Sequence, residues 1–392
     1  MYGALLLASF AGGCSSCQSM ASAVDAGSDL AGGDLGQLDG APSPPDGWPG
    51  GCLFGAHIKQ YPNVDGGYYA AAGQQSTESA IAAMESRIGR TFAVDRLYYG
   101  LSDGGALDGT EMQDDAAHGR LSLVSLKPAG MWSQITDHTS DGEIDARAAE
   151  AKQFGHNFFL AFNHEADDDV CPKANCKGTA SDFIAAWQYI YKRFADDGVT
   201  NVRWIWIVTS EHMREGKAQL LWPGDQYVEF VGFDGYNPYP CKASPTWTSF
   251  AAIFNDSPMD PMKGDRAFAL AHNKRWIIAE FGTQEDAPCG FAPTDAGTTS
   301  AMTCPYAAAA ACDSTCGPSS PPCDVTRKQQ WFADALTKIK SWPDLVAVLY
   351  FHSDSSYKWW IDTPEYTDQS ASFQGFKAMA ADPYLNPPVT LP

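Results

Sequence analysis

From residue 52 onward, short runs of nearly continuous apolar residues take turns with longer stretches whose apolar residues recur every three or four positions. The runs are CLFGAHI (52–58), FAVDRLYYG (92–100), LSLVSLKP (121–128), HNFFLAFNHE (156–165), VRWIWIVTS (202–210), YVEFVGFDGYN (227–237), RWIIAEFG (275–282) and VAVLYFHS (346–353). Segments this short and this apolar read as strands covered on both faces, the situation of a parallel sheet. Helical spacing lies between them, over 76–89, 142–155, 179–198, 263–273 and 325–342. Gly155 and Gly198 fall where C-caps belong, Ser181 or Asp182 is the expected N-cap of the third helix, and Pro343 stops the last. Eight strands separated by helices predict an α/β architecture, a (β/α)8 TIM barrel. An open doubly wound sheet would show a glycine-rich phosphate turn after an early strand, and none is present. The barrel is expected to occupy 51–392 as a single domain.

The N-terminal fifty residues have another character. Residues 4–13 form a short apolar and small-residue run ending in AGGC at Cys14. It is too short to span a bilayer and has the look of a signal-peptide core with a lipoprotein-type cleavage site, so 1–14 reads as a signal segment and Cys14 as a lipid-anchor candidate. No Lys or Arg precedes the run, and Ala11 stands where leucine is usual. Residues 15–50, rich in Ser, Ala, Gly, Asp and Pro, cannot bury enough surface to fold and read as a flexible acidic linker. A secreted or cell-surface protein working as a monomer is the expectation. Eleven cysteines agree with export. Cys171 and Cys176 are a plausible local disulfide, Cys52 could reach Cys17, and Cys289, Cys304, Cys312, Cys316 and Cys323 crowd one segment that disulfides would staple. Zinc ligation among 304–323 fits no paired CxxC spacing. The net charge of −21 argues against a nucleic-acid partner.

Two apolar strands deliver a glutamate at their exits: Glu165 after the fourth and Glu280 after the seventh. Catalytic groups of a TIM barrel sit at the C-terminal ends of its strands. A pair of carboxyl groups there is the raw material for retaining glycoside hydrolysis, one attacking as a carboxylate while the other donates and recovers a proton. The plainer alternative is strand-end glutamates that merely pair with cations. Glu211, after strand five, and Asp234, near the end of strand six, compete with them on spacing alone. Sugar rings stack on aromatic side chains, which makes Trp132, Trp359 and Trp360 candidate platforms, and Lys127 at the end of strand three could reach a substrate. Trp187 and Trp204 read as packing residues; Trp206 could point into the barrel. This chemistry calls for no metal and no organic cofactor.

On FNHEAD (162–167), YVEFVGFDGYN (227–237) and IIAEFG (277–282), the chain from about 52 to 362 resembles glycoside hydrolase family 26, the β-mannanase family of a barrel clan with glutamates on strands four and seven. His164-Glu165 is a specific part of the likeness, since most of that clan carries Asn-Glu. The resemblance implies Glu165 as acid/base, Glu280 as nucleophile, Tyr236 as hydrogen-bond donor to the nucleophile, and His164 as a substrate or positioning residue. A strand-eight tryptophan at the cleavage subsite would be Trp359 or Trp360. Mannanases of the family place Trp-His after strand three, where this chain has Trp132-Ser133. The implied reaction is endo-hydrolysis of a β-linked polysaccharide, first β-1,4-mannan, with β-1,3-xylan, mixed-linkage β-glucan, or a non-catalytic polysaccharide-binding lipoprotein as alternatives.

Overall fold

The eight apolar runs form eight parallel strands bonded in chain order, and the last pairs with the first to close a barrel. They are β1 (Leu53–Ile58), β2 (Val94–Gly100), β3 (Leu121–Lys127), β4 (Phe158–Phe162), β5 (Val202–Thr209), β6 (Phe230–Asn237), β7 (Arg275–Thr283) and β8 (Leu345–His352). The computed structural model describes residues 51–59, 76–238, 247–254, 260–284, 326–353, 359–361, 370–385 and 387. The segments 1–14 and 15–50 and the cluster Cys289, Cys304, Cys312, Cys316 and Cys323 lie outside the described residues.

Helices Thr77–Ile88, Asp141–Phe154, Ala180–Asp196, Asp265–Ala271 and Arg327–Lys340 occupy the periodic stretches, joined by Thr110–His118 and Ala371–Ala380. The cap of Ala180–Asp196 differs from expectation. Thr179 is the N-cap, its hydroxyl accepting from the Asp182 amide while the Asp182 carboxylate accepts from the Thr179 amide. This reciprocal box satisfies two amides that otherwise have no partner, an advantage Ser181 lacks.

Alternation along the strands divides two cores. Leu53, Val94, Leu123, Phe159, Ile205, Ile207, Ile277 and Leu349 fill the barrel interior. The opposite faces pack against the helices with large aromatics, among them Trp187, Trp204, Trp276 and Trp331. Trp206 belongs to this outer layer, its ring 5.1 Å from Trp222 and 5.7 Å from Phe268, and does not point into the barrel. Cys171 and Cys176 are disulfide-bonded. Among the described residues Cys52 is a free thiol, completely buried just before β1, and Cys17, the partner considered for it, lies outside the described residues.

The interior leaves no room at Gly232 on β6, where a Cβ would lie 2.6 Å from Ile207 Cγ1 and 3.1 Å from Ile205 Cδ1. A methyl group there forces neighbouring strands apart. Gly232→Ala is expected to destabilise the fold by about 1–3 kcal/mol, the usual range for overpacking, read as a lower midpoint in urea unfolding. An unchanged midpoint would mean the interior is looser than these distances.

Candidate active site

The polar end of the barrel interior is built from residues one or two pleats above the apolar layers. On β2, Arg96 and Tyr98 continue the inward row begun by Val94; on β6, Asp234 and Tyr236 continue the row of Phe230 and Gly232. Glu280 is the exception. Trp276 and Ile278 face the helices, while Ile277 and Ala279 face the interior. Strict alternation would therefore send Glu280 outward. The β6–β7 register jumps here: Phe233 pairs with Ile278 but Asp234 pairs with Glu280, so β7 carries one extra residue, Ala279. Such a bulge re-aims the side chain that follows it, and Glu280 enters the barrel beside Asp234.

Glu280 is 4% exposed and fully supplied with donors. Tyr98 donates its hydroxyl to Oε1 at 2.7 Å, Arg96 donates from Nη2 to the same oxygen at 3.2 Å, and the Tyr236 hydroxyl donates to Oε2. Arg96 is itself completely buried and lies over the Tyr98 ring, 4.3 Å from its centre. An ion pair with these additional hydrogen bonds offsets the cost of burying a carboxyl group.

Glu165 stands in the turn leaving β4. Its φ of 52° and that of Asn163, 49°, lie in the left-handed region that non-glycine residues seldom adopt. Backbone bonds hold both: the Asn163 amide donates to Leu126 O on β3 at 2.8 Å and the Glu165 amide to Ile207 O on β5 at 3.0 Å. Burial, then the charges of Glu280, Asp167 and Asp168, raise the Glu165 carboxyl well above the ordinary glutamate range, against a smaller opposing effect of Lys127. One carboxylate oxygen each from Glu165, Asp234 and Glu280 lie within 4.8 Å of one another. Three carboxylates at this spacing could also ligate a cation, but the donors already on Glu280 occupy lone pairs a hard cation would need.

His164 is half-buried, with its ring 5.3 Å from that of Tyr98. Burial and the nearby cations Arg96 and Lys127 push its pKa well down, leaving it neutral. Lys127 forms an ion pair with Asp169 at 2.9 Å. Trp359 is buried, stacked on Tyr236 with ring centres 4.6 Å apart, while its neighbour Trp360 is partly exposed. Trp132 cannot serve as an open sugar platform. It is completely buried, packs edge-on against Phe183 and donates its indole N–H to Asn163 Oδ1 at 3.0 Å. The chain turns it under the β4 exit, where it supports Asn163. Glu211 is exposed on the short helix Ser210–Glu215 and does not join the carboxylate cluster, whereas Asp234 does.

Arg96, Tyr98 and His57 escaped the sequence reading. A signal existed in FAVDRLYYG, since an arginine inside an apolar strand needs a buried partner. His57 on β1 donates from Nδ1 to Arg96 O at 2.9 Å and stacks on Phe351 at 5.3 Å. Burial lowers its pKa to about 4.

The glycosyl hydrolase family 26 model matches residues 173–267, a span that contains neither Glu165 nor Glu280. Over that span the chain resembles glycoside hydrolase family 26. Endoglucanase H of Acetivibrio thermocellus is 30% identical to it over 230 residues, 55% of this chain and 24% of that protein. Beta-1,3-xylanase TXYA of a Vibrio species is 25% identical over 251 residues, 60% of this chain and 49% of that one. The chain thus spans between a quarter and a half of the length of the curated proteins it matches. Among solved structures, a modular endo-beta-1,4-mannanase from Cellulomonas fimi superposes with a TM-score of 0.52 at 15% identity, covering 85% of this chain and 71% of that one. That likeness shows a shared fold.

The raised Glu165 carboxyl has a thermodynamic consequence. Between the unfolded glutamate pKa, about 4.3, and its higher folded value, the native protein binds the extra proton, so Glu165 costs stability as pH rises through that window. Glu165→Gln removes the cost. The variant is expected to gain in urea midpoint over the native chain at pH 8 and to match it near pH 4. A difference that does not grow between these two pH values would contradict the raised pKa.

Proposed function

We propose that this chain is a retaining glycoside hydrolase acting by double displacement on a neutral β-linked polysaccharide. The observation that carries the reading is the approach of the Glu165 and Glu280 carboxylates within 4.8 Å across the barrel mouth. Retaining pairs lie about 5–5.5 Å apart, whereas inverting pairs stand about 6.5–9.5 Å apart to admit a water. The protonation states fit the roles. Arg96, Tyr98 and Tyr236 favour charged Glu280 as nucleophile. Burial and that same charge favour protonated Glu165 as general acid. Attack of Glu280 on the anomeric carbon forms a glycosyl ester while Glu165 protonates the departing oxygen. The ester has no charge, so the influence that held the proton on Glu165 disappears and Glu165 becomes the base that activates water. His164 and the aromatic wall of Tyr236 and Trp359 flank the position of the reacting sugar.

β-1,4-Mannan is the substrate suggested by the sequence motifs. β-1,3-Xylan and mixed-linkage β-glucan are the second reading, favoured by the names of the two curated relatives and by Ser133 after Trp132. Export and lipid attachment through Cys14 belong to the same proposal, supported by the AGGC run and by the Cys171–Cys176 disulfide, which suits an oxidising compartment.

The test is a panel of these three glycans with product anomers followed by NMR. Retained β-configuration is expected, and added azide should rescue Glu280→Ala as an α-glycosyl azide. Glu165→Ala should lose most turnover on substrates with poor leaving groups. Tyr236→Phe should lower kcat by about 10–100-fold, the scale of one lost hydrogen bond to a charged group. Inverted product would overturn the mechanism. Tight glycan binding without turnover would instead favour a polysaccharide-binding protein.

A further inference from the structure

Asp234 has no part in the double displacement as written, yet it lies inside the carboxylate cluster. It is 2% exposed, and neither of its carboxyl oxygens has a hydrogen-bond partner among the described residues. Its surroundings explain why this is unusual. On β7 it faces Glu280; at the β4 exit, Glu165 and Asp167; on β2, Arg96; and Tyr236 follows it on its own strand. Of the cations near the cluster, Arg96 bonds to Glu280 and Lys127 to Asp169. Asp167 is served separately, by the Thr209 amide at 3.1 Å, the Thr209 hydroxyl and His212 Nδ1 at 2.9 Å. The donors thus converge on Glu280 and Asp167, and none reaches Asp234.

A buried carboxylate with no donor is the costliest state a side chain can adopt, whereas the neutral acid is tolerated and brings an O–H of its own. Burial and the charges of Glu280 and Glu165 act on Asp234 in that direction, with Arg96 opposing them. We propose that Asp234 is a positioning residue that stays a neutral acid and donates its hydroxyl to whichever of Glu165 and Glu280 carries the negative charge. This rests on the hydrolase reading. In the free enzyme the charge is on Glu280. When the Glu280–anomeric carbon bond forms and the glycosidic C–O bond breaks, the Glu165 proton leaves with the departing oxygen and the charge moves to Glu165. With one oxygen of each group within 4.8 Å, a side-chain rotation brings the Asp234 hydroxyl into reach of either. Its own proton is never transferred, and the cluster keeps a single negative charge throughout.

The test uses the full chain and the variants Asp234→Asn, which retains a donor but cannot ionise, and Asp234→Val, which has neither property. Infrared difference spectra at neutral pH between the native chain and Asp234→Asn are expected to show the carbonyl band of a protonated carboxyl, shifted in heavy water and lost in the variant. Its absence would overturn the neutral acid whatever the activity. On the glycan that the panel identifies, kcat should fall about tenfold in Asp234→Asn and about a hundredfold in Asp234→Val, within the range for one active-site donor. The high-pH limb of kcat/KM, set by Glu165, should stay in place in Asp234→Asn. A downward shift of that limb by about one unit would reveal a lost negative charge and overturn the proposal. Equal losses in the two variants, or native kcat in Asp234→Val, would overturn the donor role. A native chain that turns over no glycan would sink the hydrolase reading, and the donor role with it, while the infrared band still decides the protonation state on its own.

Discussion

One buried cation sets the terms for this site. Arg96, sealed inside the barrel, pairs with Glu280, one of three carboxyl groups gathered at the barrel mouth. A charge removed from water needs a partner and donors for its remaining lone pairs, or it gives up ionisation. Glu280 receives both from Arg96, Tyr98 and Tyr236. Asp234 finds no donor among the described residues, and burial with neighbouring negative charge raises the pKa of both Glu165 and Asp234. Carboxyl groups are thereby given unequal surroundings, the inequality on which the proposed displacement at a sugar carbon relies.

The barrel turns that inequality into geometry through two local departures from regular structure. The extra residue in β7 swings Glu280 from the helix-facing row into the interior. At the β4 exit, two non-glycine residues adopt left-handed conformations, held from both sides by β3 and β5. Strained backbone persists only where its surroundings over-determine it, and here those surroundings continue outward. Trp132 supports Asn163, whose amide donates to Asp169 at 2.8 Å, and Asp169 in turn holds Lys127. The Cys171–Cys176 loop closes the same wall, since Lys177 accepts from the Trp132 amide and donates its own amide to Asp169 O. Residues that look like separate candidates along the chain thus form one rigid support for Glu165.

Most of the fold was legible because its signal is local. Eight apolar runs too short for helices, with periodic stretches between them, leave few architectures, and the strands formed where those runs lie. The two glutamates were legible for the same reason, as charged residues ending apolar strands. Trp132, Trp206 and Cys52 were harder. Their side chains are apolar enough for either face, and which one they take depends on what packs above them. Arg96 and Tyr98 showed their unusual position in FAVDRLYYG but not their partner, which lies more than 180 residues away in the chain.

The sequence by itself determined the barrel, the strand exits that carry Glu165 and Glu280, and an acidic composition. Apolar periodicity fixes which segments are buried, and burial fixes the strands. Only the tertiary structure decided which carboxyls meet. Period-two alternation would have turned Glu280 outward, and the β7 bulge, visible only against the register of β6, turns it in. Only closure of the barrel brings Asp234 beside the pair and leaves Glu211 outside it. Protonation followed from that packing, because the ionisation of a carboxyl depends on the donors and charges that the fold gathers around it, far apart in sequence.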